Sequence, residues 1–202
     1  MSYNSQLTRK CILSCARQEF MEHGYQKANM RRIAQGAKVT TGAMYNHFSN
    51  KMVLFDALVQ APAEDMLAQF RELHDRVTEG VTFQPTSALD EMAQRGTDWM
   101  LDFIFEHIDA FRLIFCRSEG TRWSSYLEEL IAIEEQSYRF YFDKLCINSE
   151  PIDDFFLHVS AAIGFQYLVE IVSHNLPYER AVSIMNSVKR CSTAGWYELL
   201  GI

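Results

Sequence analysis

The amino-acid sequence predicts an all-α chain. Apolar residues recur at i, i+3 and i+4 along nearly its whole length, and no stretch shows the strict alternation of a half-buried strand. Side chains able to cap a helix stand immediately before several of these periodic segments, as Asn29, Thr40 and Asn50 do. The pattern also changes scale along the chain. Short periodic segments crowd the first 50 residues and longer ones fill residues 51–202, so a small N-terminal helical unit and a larger C-terminal helical bundle are expected.

Ile12, Ala16 and Phe20 set the apolar side of the first helix, which leads to Gly24 and Tyr25. Asn29 then caps a helix carrying Met30, Ile33, Ala34 and Ala37. Thr40 caps the next, whose apolar side is Ala43, Met44 and Phe48. Two short helices joined by a turn of a few residues make a helix-turn-helix, in which the second helix enters the DNA major groove. Residues 12–54 resemble the DNA-binding domain of the TetR family of transcriptional regulators. The resemblance runs through Gly24-Tyr25, Asn29-Met30, Ile33-Ala34, Val39, Thr41-Gly42-Ala43-Met44-Tyr45, His47-Phe48, Asn50-Lys51 and Leu54. Lys38 departs from it, standing where the family has a turn glycine. A non-glycine residue at positive φ costs on the order of 1 kcal/mol, so a turn of different shape is expected there.

Residue chemistry supports DNA contact on its own terms. Thr41, Gly42 and Ala43 are small, so the backbone at the start of the second helix can approach base edges, and Thr40 or Thr41 can bond a base or touch a thymine methyl. Tyr45, His47, Lys51 and Arg31 suit phosphates. The resemblance implies the same assignment, with Tyr45, His47 and Lys51 on phosphate, Thr41 and Gly42 on bases, and Asn29 and Arg31 at the start of the first helix of the motif. Charge agrees. Through residue 51 there are eight Lys/Arg against Glu19 and Glu22, a net of plus six, whereas the whole chain is minus seven, which leaves minus thirteen on residues 52–202. Screening beyond roughly 8 Å lets a basic head meet a polyanion while an acidic body stays off it.

The body continues as helices. Asn50 caps one starting at Lys51, with Leu54, Phe55 and Leu58 inward, and Pro62 kinks it or begins a second segment that carries Met66, Phe70 and His74. Thr86 or Ser87 caps the next, through Leu89, Met92, Gly96, Trp99 and Phe103. Asp109 caps a short helix through Phe115, and Leu127, Leu130, Ile131, Glu134, Tyr138 and Phe142 mark another. Residues 152–174 are apolar almost all round, so both sides need cover. A last helix runs from Tyr178 to about Leu200.

The resemblance implies a homodimer through the helices at 152–174 and 178–200, a palindromic operator, and release by a small-molecule effector. Candidate effector contacts are Trp99, Phe103, Trp123, Tyr138 and Phe165, with Glu134 as a carboxylate on an apolar stripe that requires a partner, from Arg112, Arg117, Arg139 or a ligand cation. No catalytic set is expected, since six scattered histidines show no metalloprotease, nucleophile-elbow or phosphate-loop spacing. No cofactor and no metal site is expected either. Cys11 and Cys15 fall near the apolar side of the first helix, where core packing is the default and a redox-responsive regulator the alternative. A helical interaction adaptor without DNA binding is the other rival. The polar start MSYNSQLTRK is no signal peptide, and the uncharged run Val159–Val169 is too short to span a bilayer, so a cytoplasmic protein without membrane contact is expected.

Overall fold

A computed structural model of the chain describes residues 3–80, 98–145 and 152–200. The helices are α1 (Tyr3–Lys27), α2 (Met30–Gly36), α3 (Thr41–His47), α4 (Lys51–Gly80), α5 (described over 98–106), α6 (Ile108–Arg117), α7 (Tyr126–Leu145), α8 (Asp154–Ser173) and α9 (Tyr178–Leu200), with a 3-10 turn at Arg122–Ser125. No strand occurs among the described residues. The expected caps at Thr86 and Ser87, and the stripe from Leu89 to Gly96, lie outside them.

Two compact units form. The first comprises Met1–Asp65 with His107–Tyr126, the second Met66–Glu106 with Leu127–Ile202. The first is built on α1, whose Ile12, Ala16 and Phe20 are fully buried against Ile33, Ala34, Met44, Phe48, Leu54 and Phe55. Phe20, Tyr25 and Phe55 close this core as a ring cluster with centroids 5.1–6.0 Å apart. Gly24 breaks the helical path of α1 at φ +69°, a conformation that L side chains rarely adopt.

The entry to α2 depends on one buried carboxylate. Glu19 accepts the Asn29 N–H at 2.7 Å and the Arg32 guanidinium at 2.5–3.0 Å, tying the start of α2 to α1. Burial alone would push this carboxyl up. The Arg32 hydrogen bonds, the Asn29 N–H and the Arg32 and His23 charges outweigh it and leave the group below the ordinary carboxylate range.

Pro62 does not begin a second segment: α4 runs continuously through it. The segment before it ends nothing because tertiary contacts hold both sides. Val59 and Ala63 are fully buried, and the Ala63 carbonyl accepts the Tyr126 hydroxyl at 2.8 Å. Asp109 does not cap α6. His107 occupies that position without a side-chain cap, while Asp109, in the first turn, accepts from Arg17 at 2.8 Å.

In the second unit α8 has two unlike faces. Leu157, Ala161, Phe165, Leu168, Ile171 and Val172 are buried, whereas Phe155 (72% exposed), Ile163 (53%) and Tyr167 (40%) face outward. By length and composition α8 could cross a membrane, more than the uncharged run at its centre suggested. Its buried face and its Asp154 and Glu170 are those of a helix packed within a bundle.

Replacing Glu19 by alanine is expected to cost about 2 kcal/mol, since a part-buried backbone N–H and a guanidinium lose a charged acceptor. A lowered folded pKa gives stability that is present above the unfolded value, about 4.3, and is lost as pH falls through the folded one. The gap in melting temperature between wild type and Glu19→Gln should therefore be smaller at pH 3 than at pH 7. A constant gap at both pH values would contradict this.

Candidate nucleic-acid interface and effector cluster

Local hydrogen bonds hold α2 and α3 in a defined relation. The Asn29 side chain accepts the Arg31 N–H at 2.8 Å, and Thr40 Oγ1 accepts the Ala43 N–H at 3.1 Å, so both predicted N-caps form. Between them Val39 N–H donates to the Ala34 carbonyl and Lys38 N–H to the Gln35 carbonyl, both at 3.0 Å. This pair of bonds is a Schellman closure, with Lys38 in the left-handed position at φ +55°. A turn of different shape was expected at Lys38. The turn instead keeps the glycine geometry with lysine in it, because the two closing bonds and the buried Ala34 over-determine the backbone.

On α3, Met44 and the following Phe48 are buried while Tyr45 is 45% exposed. Gly42 is exposed, and a Cβ added there would meet nothing within 4 Å, so the backbone at the start of α3 is bare to solvent. Thr40 is exposed, Thr41 and His47 half-buried. Arg31 is exposed and makes no ion pair with a described residue. Asn29, Arg31, Thr40, Thr41, Gly42, Tyr45 and His47 thus sit on or beside the two short helices, with open polar atoms on several of them.

Lys51, expected on phosphate, meets backbone carbonyls of the chain itself. Its ammonium donates to the Gln26 and Ala28 carbonyls at 3.0 Å each and lies 4.8 Å from the Tyr25 ring centroid. It satisfies carbonyls left open at the end of α1, as a cation at a helix C-terminus does. Burial pulls its pKa down, and Glu19 opposes that.

The candidate effector residues divide into three places. Glu134, Tyr138 and Phe165 gather in the second unit around His74 and Phe70. His74 Nε2 is 2.8 Å from a Glu134 carboxylate oxygen, Tyr138 is hydrogen-bonded to Glu134, and Phe70 packs on His74 and Phe165 with centroids 4.1 and 5.8 Å away. The partner of Glu134 is therefore His74, not an arginine, which sequence spacing could not show because 60 residues separate them. The other His74 nitrogen, Nδ1, lies 2.7 Å from the Phe70 carbonyl. Both ring nitrogens face acceptors, an arrangement that favours the doubly protonated ring. Burial alone would lower the His74 pKa, but the Glu134 hydrogen bond and charge raise it on balance. Burial and Glu134 push the Tyr138 hydroxyl well up. Trp99 and Phe103 form a separate ring pair at 5.8 Å. Trp123 belongs to the first unit, buried, with its indole N–H donating to Asp56 at 2.7 Å and Arg122 over its ring. It thus lies apart from the cluster around Glu134.

Cys11 is exposed and Cys15 half-buried, so neither is a core residue as expected. Burial, with Cys11 beside it, pushes the Cys15 thiol up, away from a reactive thiolate. Among the described residues no group of three or more His, Cys, Asp or Glu could hold a metal ion.

An all-helical chain with two capped short helices, a closed turn and a bare second-helix start is a helix-turn-helix protein. Residues 12–58 match the model of the bacterial regulatory proteins of the tetR family. The HTH-type transcriptional regulator UidR of Escherichia coli is 38% identical over 72 residues, 36% of this chain and 37% of that protein. The HTH-type transcriptional repressor Rv1474c of Mycobacterium tuberculosis is 43% identical over 60 residues, 30% of this chain and 32% of that protein. Residues 12–58 thus resemble the DNA-binding domain of the tetR family. The aligned segments span about a third of the length of these relatives. Beyond the motif the likeness is of fold: the transcriptional regulator FadR from Bacillus subtilis, solved in complex with stearoyl-CoA, covers 92% of this chain and 98% of its own at a TM-score of 0.60 and 17% identity.

The His74–Glu134 pair yields a pH signature of opposite sign to that of Glu19. A histidine with a raised folded pKa stabilises fully below its unfolded value, near 6.5, and that stability is lost as pH rises through the folded value. Unfolding free energy should therefore decline above pH 6.5, by at most about 1.4 kcal/mol per pH unit from this group. Denaturant titrations of His74→Gln should show a flatter profile there. An unchanged slope would exclude an ion-paired His74.

Proposed function

We propose that the chain is a ligand-responsive, DNA-binding transcriptional regulator, a homodimeric repressor released from a palindromic operator by a small-molecule inducer. The observation that carries the reading is the geometry of α2, its closed turn and α3. A seven-residue helix with a bare N-terminal backbone and a half-exposed tyrosine at its far end is shaped for a groove. Thr41 and Gly42 meet base edges, with Thr40 at the cap. Tyr45, His47 and Arg31 hold phosphates, and Asn29 orients the first helix of the motif. Residues 1–50 act as the DNA-binding domain and 51–202 as the ligand-binding and dimerisation domain.

The outward face of α8 supports the dimer. Phe155, Ile163 and Tyr167 form an apolar face beside Gly164, where an added Cβ would meet nothing within 4 Å. Small residues let a second helix approach closely, and the same face on a twofold-related copy is self-complementary. A twofold protein reads half-sites about 34–36 Å apart or a multiple of that. The naming of Rv1474c as a repressor, and of FadR as a complex with stearoyl-CoA, supports repression and an effector site in this architecture. The cluster of His74, Glu134, Tyr138 and Phe165, with Trp99 and Phe103 as the second aromatic group, is the place where an effector acts. A coupling of roughly 1–3 kcal/mol changes operator affinity about 5–150-fold.

Fluorescence anisotropy against DNA from upstream of the chain's own gene, beside scrambled DNA over a salt series, tests the reading. Sequence-selective binding that weakens steeply with salt and is lost in Tyr45→Ala is expected. Binding indifferent to salt would instead mark a protein-interaction adaptor. The dimer has its own test. Ile163→Glu should shift the sedimentation coefficient from dimer to monomer while leaving the helical circular dichroism intact. A dimer that survives the substitution would exclude this face.

A further inference from the structure

We propose that Arg9, on α1, is a DNA-phosphate contact of this regulator, which grips the backbone beside the far end of α3. The assignment rests on the DNA-binding reading above and adds a residue outside the helix-turn-helix itself.

Tertiary structure sorts the cations of the head by what already holds them. Arg17 is bonded to Asp109, Arg32 to Glu19, and Lys51 to two backbone carbonyls. Each of these three already meets an acceptor within the fold, which competes with a phosphate. Arg9 is different. Its guanidinium lies 4.9 Å from the centroid of the Phe48 ring, and it makes no hydrogen bond or ion pair to a described residue. Phe48 is the residue that ends α3, itself 1% exposed, so Arg9 sits against the C-terminal end of the recognition helix although it comes from α1.

A cation–π contact holds a guanidinium in place without using any of its five N–H donors in a hydrogen bond to an acceptor. A cation so placed has already lost part of its rotamer freedom, which lowers the entropic cost of a phosphate bond. The surroundings carry no opposing charge from the chain on either segment. Residues 1–18 and 23–55 contain no aspartate or glutamate, and these stretches supply most of α1 and all of α2 and α3. Position decides between base and backbone. Base edges are read from the N-terminal residues of a recognition helix, at Thr41 and Gly42, whereas Arg9 stands at the opposite end with Tyr45 and His47. Its contact is therefore sequence-independent and contributes affinity and register, not discrimination.

The test compares Arg9→Gln with Arg9→Lys, one losing the charge and the other keeping it. Anisotropy would be measured over a salt series on the upstream duplex and on a mixed-sequence duplex. Each phosphate contact contributes about 0.9 to the slope of log affinity against log salt. Arg9→Gln should flatten that slope by about this amount and weaken both duplexes by a similar factor, on the order of threefold to tenfold. Arg9→Lys should keep the wild-type slope. A Phe48 contact that is only structural would lower the melting temperature and leave the slope unmoved, which would overturn the assignment. Loss confined to the upstream duplex would overturn it too, by making Arg9 a base-reading residue. Wild-type protein that binds neither duplex with a salt dependence would defeat the DNA-binding reading itself, a result distinct from a wild-type slope retained in Arg9→Gln.

Discussion

The buried carboxylate of Glu19 is the constraint on which the head depends. A helix of seven residues has too few internal hydrogen bonds to stand alone, and its first N–H groups lack partners. Glu19 supplies an anion from α1 to the Asn29 N–H and to Arg32, while Asn29 caps the Arg31 N–H with its own side chain. The start of α2 is thereby fixed in position and direction. The Schellman closure through Lys38 and Val39 then passes that orientation to α3. Unfavourable terms remain, among them the left-handed lysine, which costs about 1 kcal/mol. They persist because the same backbone bonds satisfy groups that would otherwise be buried and unpaired.

Charge in the head divides between structure and surface. A count of plus six describes the segment but not what it offers a polyanion. Arg17, Arg32 and Lys51 hold helices together, through Asp109, Glu19 and the end of α1, whereas Arg31 and Arg9 remain open. The distinction follows from geometry. A cation within reach of a carboxylate or a stack of carbonyls is already solvated by the protein, and only a cation without such partners gains from meeting a phosphate.

The second unit uses the same economy around a single ion pair. Glu134 lies on an apolar stripe that would penalise a bare carboxylate, and His74 and Tyr138 relieve it. The charged form of the His74 ring is favoured by two acceptors, one of them its own helix's carbonyl. Phe70 packs on His74 and in turn on Phe165, which makes the site half polar, half aromatic. At α8 the two faces answer a different demand. One packs inward through Leu157, Ala161 and Phe165, and the other carries Phe155, Ile163 and Tyr167 to the surface.

Periodicity and capping chemistry alone determined the all-α class, the caps at Asn29, Thr40 and Asn50, and the start and end of the last helix at Tyr178 and Leu200, because each is a local matter of a few residues. The motif's exposed residues were legible for the same reason. Whatever depended on residues distant in sequence was not. Glu134 found His74 rather than an arginine, Trp123 joined Asp56 in the other unit, Lys51 turned to the end of α1, and Asp109 paired with Arg17 instead of capping α6. Pro62 stayed inside α4 because buried neighbours held both flanks. A side chain's type states which partners it can accept, but only the fold brings one within three ångströms, and that encounter decides whether a charge is structural or free to bind.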